Sequence, residues 1–128
     1  MKQTRTKIWI LSVVGISVLL VIAGCASLLI RNRAPIAVAV GPNRTVTVGA
    51  MVTLDGTSSG DPDTEFLDYQ WIMVEKPSDS QAGIINANSS TPQFIPDIPG
   101  RYVVELRVTD SGGLGDRSQV VIIAETGS

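Results

Sequence analysis

The stretch Arg101–Val108, "RYVVELRV", alternates at every position but Val103. Tyr102, Val104, Leu106 and Val108 fall on one side of an extended chain, and Arg101, Val103, Glu105 and Arg107 on the other. Successive side chains of a strand point to opposite faces, so this period of two demands a sheet with one face in a core and one toward water. A helix would scatter both sets around its circumference. Whatever else the chain does, it must supply strands for this segment to pair with and an apolar layer to cover Tyr102, Val104, Leu106 and Val108.

The neighbouring sequence supplies both. Short β-rich runs punctuated by turn residues occupy 36–40 ("IAVAV"), 45–48 ("TVTV"), 51–56 ("MVTLDG"), 68–75 ("DYQWIMVE"), 92–96 ("PQFIP") and 117–124 ("RSQVVIIA"). Gly-Pro-Asn, Gly49, "SGDPD", Lys76-Pro77 and "DSGGLGD" separate them. About seven strands at this spacing, with no helical period between them, predict an all-β sandwich. In 68–75 the alternation puts Tyr69, Trp71 and Met73 on one face, and Trp71 is expected at the centre of the core. A domain of about 90 residues buries somewhat more than ~60% of its unfolded surface, which permits a core but a thin one. The chain has a single cysteine, so no internal disulfide reinforces it. The glycine-rich 110–116 segment reads as a mobile hairpin loop.

The N-terminal third has a different character. Lys2, Arg5 and Lys7 precede an uncharged run from Ile8 to Ile30, and Arg31 and Arg33 follow it. A basic start, an apolar stretch and small residues before a cysteine form the order of a secretory signal. Ile22-Ala23-Gly24-Cys25 resembles the bacterial lipobox, which implies cleavage before Cys25 and acylation of its thiol. On that reading 1–24 is a lipoprotein signal peptide, 25–34 a short tether and 35–126 the folded domain. The competing reading keeps 8–30 as an uncleaved transmembrane anchor, since a helix of that length reaches about 34 Å, enough for a ~30 Å hydrocarbon core. Both put the domain on the external side, because the heavier basic flank stays inside.

All twelve acidic residues lie after Pro35, where only Arg44, Lys76, Arg101, Arg107 and Arg117 oppose them. An acidic domain repels phosphate backbones, which argues against nucleic acid as a partner. The chain has no histidine, so it lacks the commonest general base and any imidazole metal ligand. Serines and threonines are plentiful, yet none has a histidine to activate it.

Three further stretches carry a family resemblance. "APIAVAVGPNRTVTVGAMVTLDGTSSGDPD", "LDYQWIMVEKP" and "FIPDIPGRYVVELRVTDSGG" together resemble a PKD (polycystic kidney disease) domain over about Asn32 to Ala124. The resemblance implies an Ig-like β-sandwich of the kind found on extracellular parts of proteins. Gly60 and Thr64 depart from the family's usual loop pattern. Tyr102, two residues after Gly100, is placed to send its hydroxyl back to the preceding turn as a tyrosine corner does. Some PKD domains of secreted bacterial proteases bind calcium, and the matching positions here are Asn32, Asp61, Asp63 and Asp110. Hard oxygen donors from several loops suit calcium, whereas the bland reading makes the same aspartates turn residues that cap their own backbone.

These readings converge on a non-catalytic domain with no required cofactor, with calcium as an optional stiffener. It is expected in the cell envelope, anchored to a membrane by Cys25-linked lipid or a transmembrane helix. The leading role is protein–protein contact or spacing in an envelope assembly, with 77–91 as the expected contact region. The rival is a carbohydrate- or matrix-binding surface module, which needs exposed aromatics for stacking on a polysaccharide; Phe66 is the candidate.

Overall fold

The computed structural model describes residues 31–63 and 66–127. The signal or anchor, Cys25, the first part of the tether and Thr64 lie outside the described residues. Among those described, no helix is long and apolar enough to cross a membrane, and the elements are all strands.

Six strands form two sheets. β1 (Val46–Thr47), β6 (Gly115–Glu125), β5 (Gly100–Thr109) and β3 (Asp68–Glu75) make a four-stranded sheet in the order β1-β6-β5-β3. β1 runs parallel to β6, while β6–β5 and β5–β3 are antiparallel. β2 (Val52–Thr53) and β4 (Gln93–Phe94) pair antiparallel in the second sheet. Isolated bridges extend this sheet on both sides, Ile36 to Gly60 and Val40 to Asp55 at one edge and Ile85 to Gln93 at the other.

The core lies between the sheets. Tyr102, Val104, Leu106 and Val108 of β5 are all at most 1% exposed. They meet Val52, Leu54 and Phe94 from the second sheet and Trp71 and Ile122 from the flanking strands. The alternation of β5 thus selects the buried face as its sequence requires. Val103, on the opposite face, is buried too, in register between Glu75 and Val121.

The expected 36–40 strand takes a different form. Ile36 and Val40 pair with the second sheet. Between them, Ala37 N–H donates to the Asp116 carboxylate, Ala39 N–H to Ser118 Oγ and Val38 N–H to Ser59 Oγ. Side-chain acceptors, two of them from β6, replace the backbone ladder, so this segment ties the two sheets together. Each N–H still finds a partner, as a part-buried backbone must.

Two corners fix the strand order. Gly100 has φ +144°, and a Cβ there would stand 2.7 Å from Pro77 Cγ. Only glycine tolerates both conditions. Gly100→Ala is expected to lower stability by about 2 kcal/mol from strain and overpacking, measured as a lower urea midpoint with unchanged m-value. At the opposite end the β5–β6 hairpin, expected to be slack, is fastened. Asp110 N–H donates to Leu114 O, and Asp110 Oδ1 accepts from Gly112 N and Leu114 N at 2.9 Å each.

Candidate functional site

The loops at one end of the sandwich gather the residues singled out in the sequence. The chain enters here through Arg33. Ile36 is bridged to Gly60, which precedes the Asp61-Pro62-Asp63 turn. Asp68, at the start of β3, pairs in register with Thr109, and Thr109 with Gly115 on the far side of the hairpin. Gly60 therefore has a structural use: its N–H and carbonyl close both hydrogen bonds with Ile36.

Asp61, Asp63 and Asp110 serve nearby backbone or a neighbouring cation. Asp61 Oδ1 accepts from Asp63 N at 2.7 Å. Asp63 Oδ2 accepts from Arg33 N at 2.7 Å, and Oδ1 forms an ion pair with the Arg33 guanidinium at 3.1 Å. Asp110 is 4% exposed and holds the hairpin turn. Asp55 closes a turn by accepting from Thr57 N and Oγ1.

A calcium cage asks more of these groups. Asp61 Oδ2 is a buried oxygen with no hydrogen-bond partner, which is the one feature that favours a cation. Against it, Asp63 already faces a guanidinium, and Asp110 spends one oxygen on two N–H donors. No group of three or more His, Cys, Asp or Glu side chains able to hold a metal occurs among the described residues. Turn capping and the Arg33 ion pair account for the hydrogen bonds of Asp61 Oδ1, Asp63 and Asp110 given above, while Asp61 Oδ2 has no hydrogen-bond partner.

At the other end, a second constellation escaped sequence reasoning. Asp97 Oδ1 accepts from Ser80 Oγ at 2.5 Å and Oδ2 from Gln81 N at 2.6 Å. Ser80 Oγ also accepts from Ala82 N, and Lys76 Nζ donates to Ala82 O. Further along, Ala87 O accepts from Trp71 N, Ser89 O from the Trp71 indole and Ser90 O from Gly56 N. The 77–91 segment is thus a strap fastened along its length. Asp97 lies seventeen positions from Ser80, too far for any local pattern to announce the pair.

Several carboxylates are held below their ordinary range by these bonds. Donation from Ser80, then Gln81, lowers Asp97; the Arg33 N–H and side chain lower Asp63; Gln119, then Arg107, lowers Glu105; Ala37 N–H lowers Asp116. A carboxylate that ionises more readily when folded stabilises the fold above its unfolded value near ~4 and loses that contribution as pH falls through its folded value. Urea midpoints are therefore expected to hold steady from pH 7 to about 5 and to fall steadily below ~4. Asp97→Asn removes part of that acid sensitivity.

This geometry meets a sequence family at the same residues. The family described as K319L-like, PKD domain matches residues 40–124. The chain belongs to the K319L-like PKD domain family. No curated protein matches it.

Among solved structures, the PKD domain of the KIAA 1837 protein is 29% identical with a TM-score of 0.60, covering 77% of this chain and 93% of that one. The PKD1 domain of Vibrio anguillarum Epp is 22% identical with a TM-score of 0.56, covering 76% of this chain and all of its own. A nucleoside hydrolase-related hypothetical protein from Saccharophagus degradans, associated with carbohydrate metabolism, is 24% identical with a TM-score of 0.62. The match covers 73% of this PKD chain but spans only 26% of the Saccharophagus protein. At that identity the last two likenesses concern the fold.

Proposed function

We propose that this chain is a membrane-anchored, externally displayed PKD domain that makes protein–protein contact in a cell-envelope assembly and performs no chemistry itself. The family match supports the non-catalytic part. The observation that carries the contact role is the outer face of the four-stranded sheet. There, Val121 and Ile123 of β6 are 44% and 42% exposed and stand in register beside Val103 and Arg101 of β5. Beside this apolar row, Glu105 is nearly buried, with Arg107 Nε on one oxygen at 2.7 Å and Gln119 Nε2 on the other at 3.0 Å. A flat apolar strip beside a preorganised polar row is the composition of a recognition surface on a rigid scaffold. The strap, bound down as it is, offers less: its exposed apolar side chain is Ile85.

The anchor supports the display. Acylated Cys25 or an intact apolar segment holds the domain at the membrane, and mass spectrometry of the mature N-terminus distinguishes them. Chemical crosslinking in intact membranes tests the contact role. Val121→Asp with Ile123→Asp is expected to abolish a stoichiometric crosslinked companion while leaving the unfolding midpoint near that of the parent; a companion retained by the double variant overturns the assignment to this face. Carbohydrate stacking has a weaker basis, since Trp71, Phe94 and Tyr102 are interior and, among the described aromatic residues, Phe66 alone stands fully exposed.

A further inference from the structure

Three apolar side chains protrude at the end of the sandwich where the chain enters. Ile36 is 60% exposed, Phe66 95% and Leu114 39%. They come from three separate segments: the entering segment, the residues leading into β3, and the hairpin turn closed by Asp110. At two of the three the backbone is paired, so the side chain is not held out by a local shortage of partners: Ile36 is bonded both ways to Gly60, and the Leu114 N–H and carbonyl both reach Asp110. At 95% exposure the Phe66 ring adds almost nothing to the core.

Ile36, Phe66 and Leu114 suit an apolar neighbour, and four carboxylates beside them are tied to this end's own structure. Asp61, Asp63, Asp110 and Asp116 all accept hydrogen bonds from this end's own backbone, and Asp63 is neutralised by Arg33. The sequence says what that neighbour is. Ile8–Ile30 is uncharged, and only Arg31-Asn32-Arg33-Ala34 separate Ile30 from Pro35. At ~3.5 Å per residue, such a linker reaches no more than about 17 Å.

We propose that this end is a lipid-contacting tip, in which Ile36, Phe66 and Leu114 seat in the boundary between headgroups and acyl chains of the membrane that anchors the chain. The inference rests on the anchoring proposed above. A side chain lying ~5–10 Å into that boundary is within the linker's reach, and its binding adds to that of the anchor. Met51 and Gly49 lie at the opposite end of the sandwich, where Gly49 N–H donates to Pro96 O.

Photocrosslinking of the full-length chain in native membranes tests this. Benzoylphenylalanine replaces Phe66, Leu114, Met51 or Leu28 one at a time, and adducts are read by mass spectrometry. Phe66 and Met51 are exposed enough for the fold to survive. Lipid adducts at 66 and 114 are expected to exceed those at 51 by about tenfold, because only the tip reaches the acyl boundary. Lipid adducts at 28 with only protein adducts or none at 66 and 114 overturn the tip and leave the anchor standing. Absence of lipid adducts at all four positions overturns the anchoring and the tip together.

Discussion

Tyr102→Ala is expected to leave little folded protein at 25 °C. The side chain is fully buried on β5, and its ring centroid lies 5.6 Å from that of Phe94 on the other sheet. It is therefore the aromatic contact through which the two sheets meet. Removing an aromatic of this kind costs about 3–5 kcal/mol, and small domains without disulfides sit near the lower end of the ~5–15 kcal/mol range of net stability. The hydroxyl adds a separable part. It donates to Ile98 O at 2.6 Å and accepts from Ile98 N at 3.3 Å, pinning the turn before Gly100. Tyr102→Phe keeps the ring and is expected to cost only about 1–1.5 kcal/mol. Urea denaturation of the two variants reads the difference; equal midpoints for both would mean that the sheet contact matters less than its burial implies.

How much of this was legible beforehand depends on the distance over which each residue acts. Tyr102, Val104, Leu106 and Val108 announce their burial within eight residues, because a strand's period is local. Gly100 and Tyr102 announce the corner for the same reason. The entering segment was harder. "IAVAV" has strand composition, yet its larger side chains Ile36 and Val40 face outward, and its small Ala37 faces the core. Its amides are answered by Asp116, Ser118 and Ser59, residues with no sequence relation to it. The end-loop aspartates could not be sorted from their sequence. A carboxylate that holds a metal and one that caps its own turn look alike until Arg33 is seen against Asp63 and the hairpin amides against Asp110. Asp97 and Ser80 were invisible for the converse reason, a short bond across a long separation. That pair also decides the character of the 77–91 segment. Its Ser, Asn and Gly content reads as a loop, and tertiary bonds make it a strap.

Trp71→Ala tests that strap where it is attached to the core. Trp71 is 2% exposed on β3, opposite Leu106. A Cβ added to Gly56 would come within 3.0 Å of its ring, so the glycine leaves the space that the indole fills. Its indole N–H reaches Ser89 O at 2.9 Å and its main-chain N–H reaches Ala87 O at 2.8 Å. One residue thus supplies core volume and two of the strap's fastenings. Alanine there is expected to cost about 3–5 kcal/mol through the cavity, and it leaves the Ser89 carbonyl without its donor, worth a further ~1–3 kcal/mol if water cannot reach it. Phenylalanine restores much of the volume but not the bond. Trp71→Phe should therefore remain folded yet open the strap locally, since local opening draws on the least-fastened segments first. Limited proteolysis under native conditions is the measurement. New cleavage between 82 and 91 in Trp71→Phe, at a rate that rises while the global midpoint falls only slightly, is the expected result. An unchanged cleavage map would mean that the indole bond to Ser89 is dispensable, and that Asp97, Ser80, Lys76 and the main-chain bonds at Ala87 and Ser90 hold the strap without it.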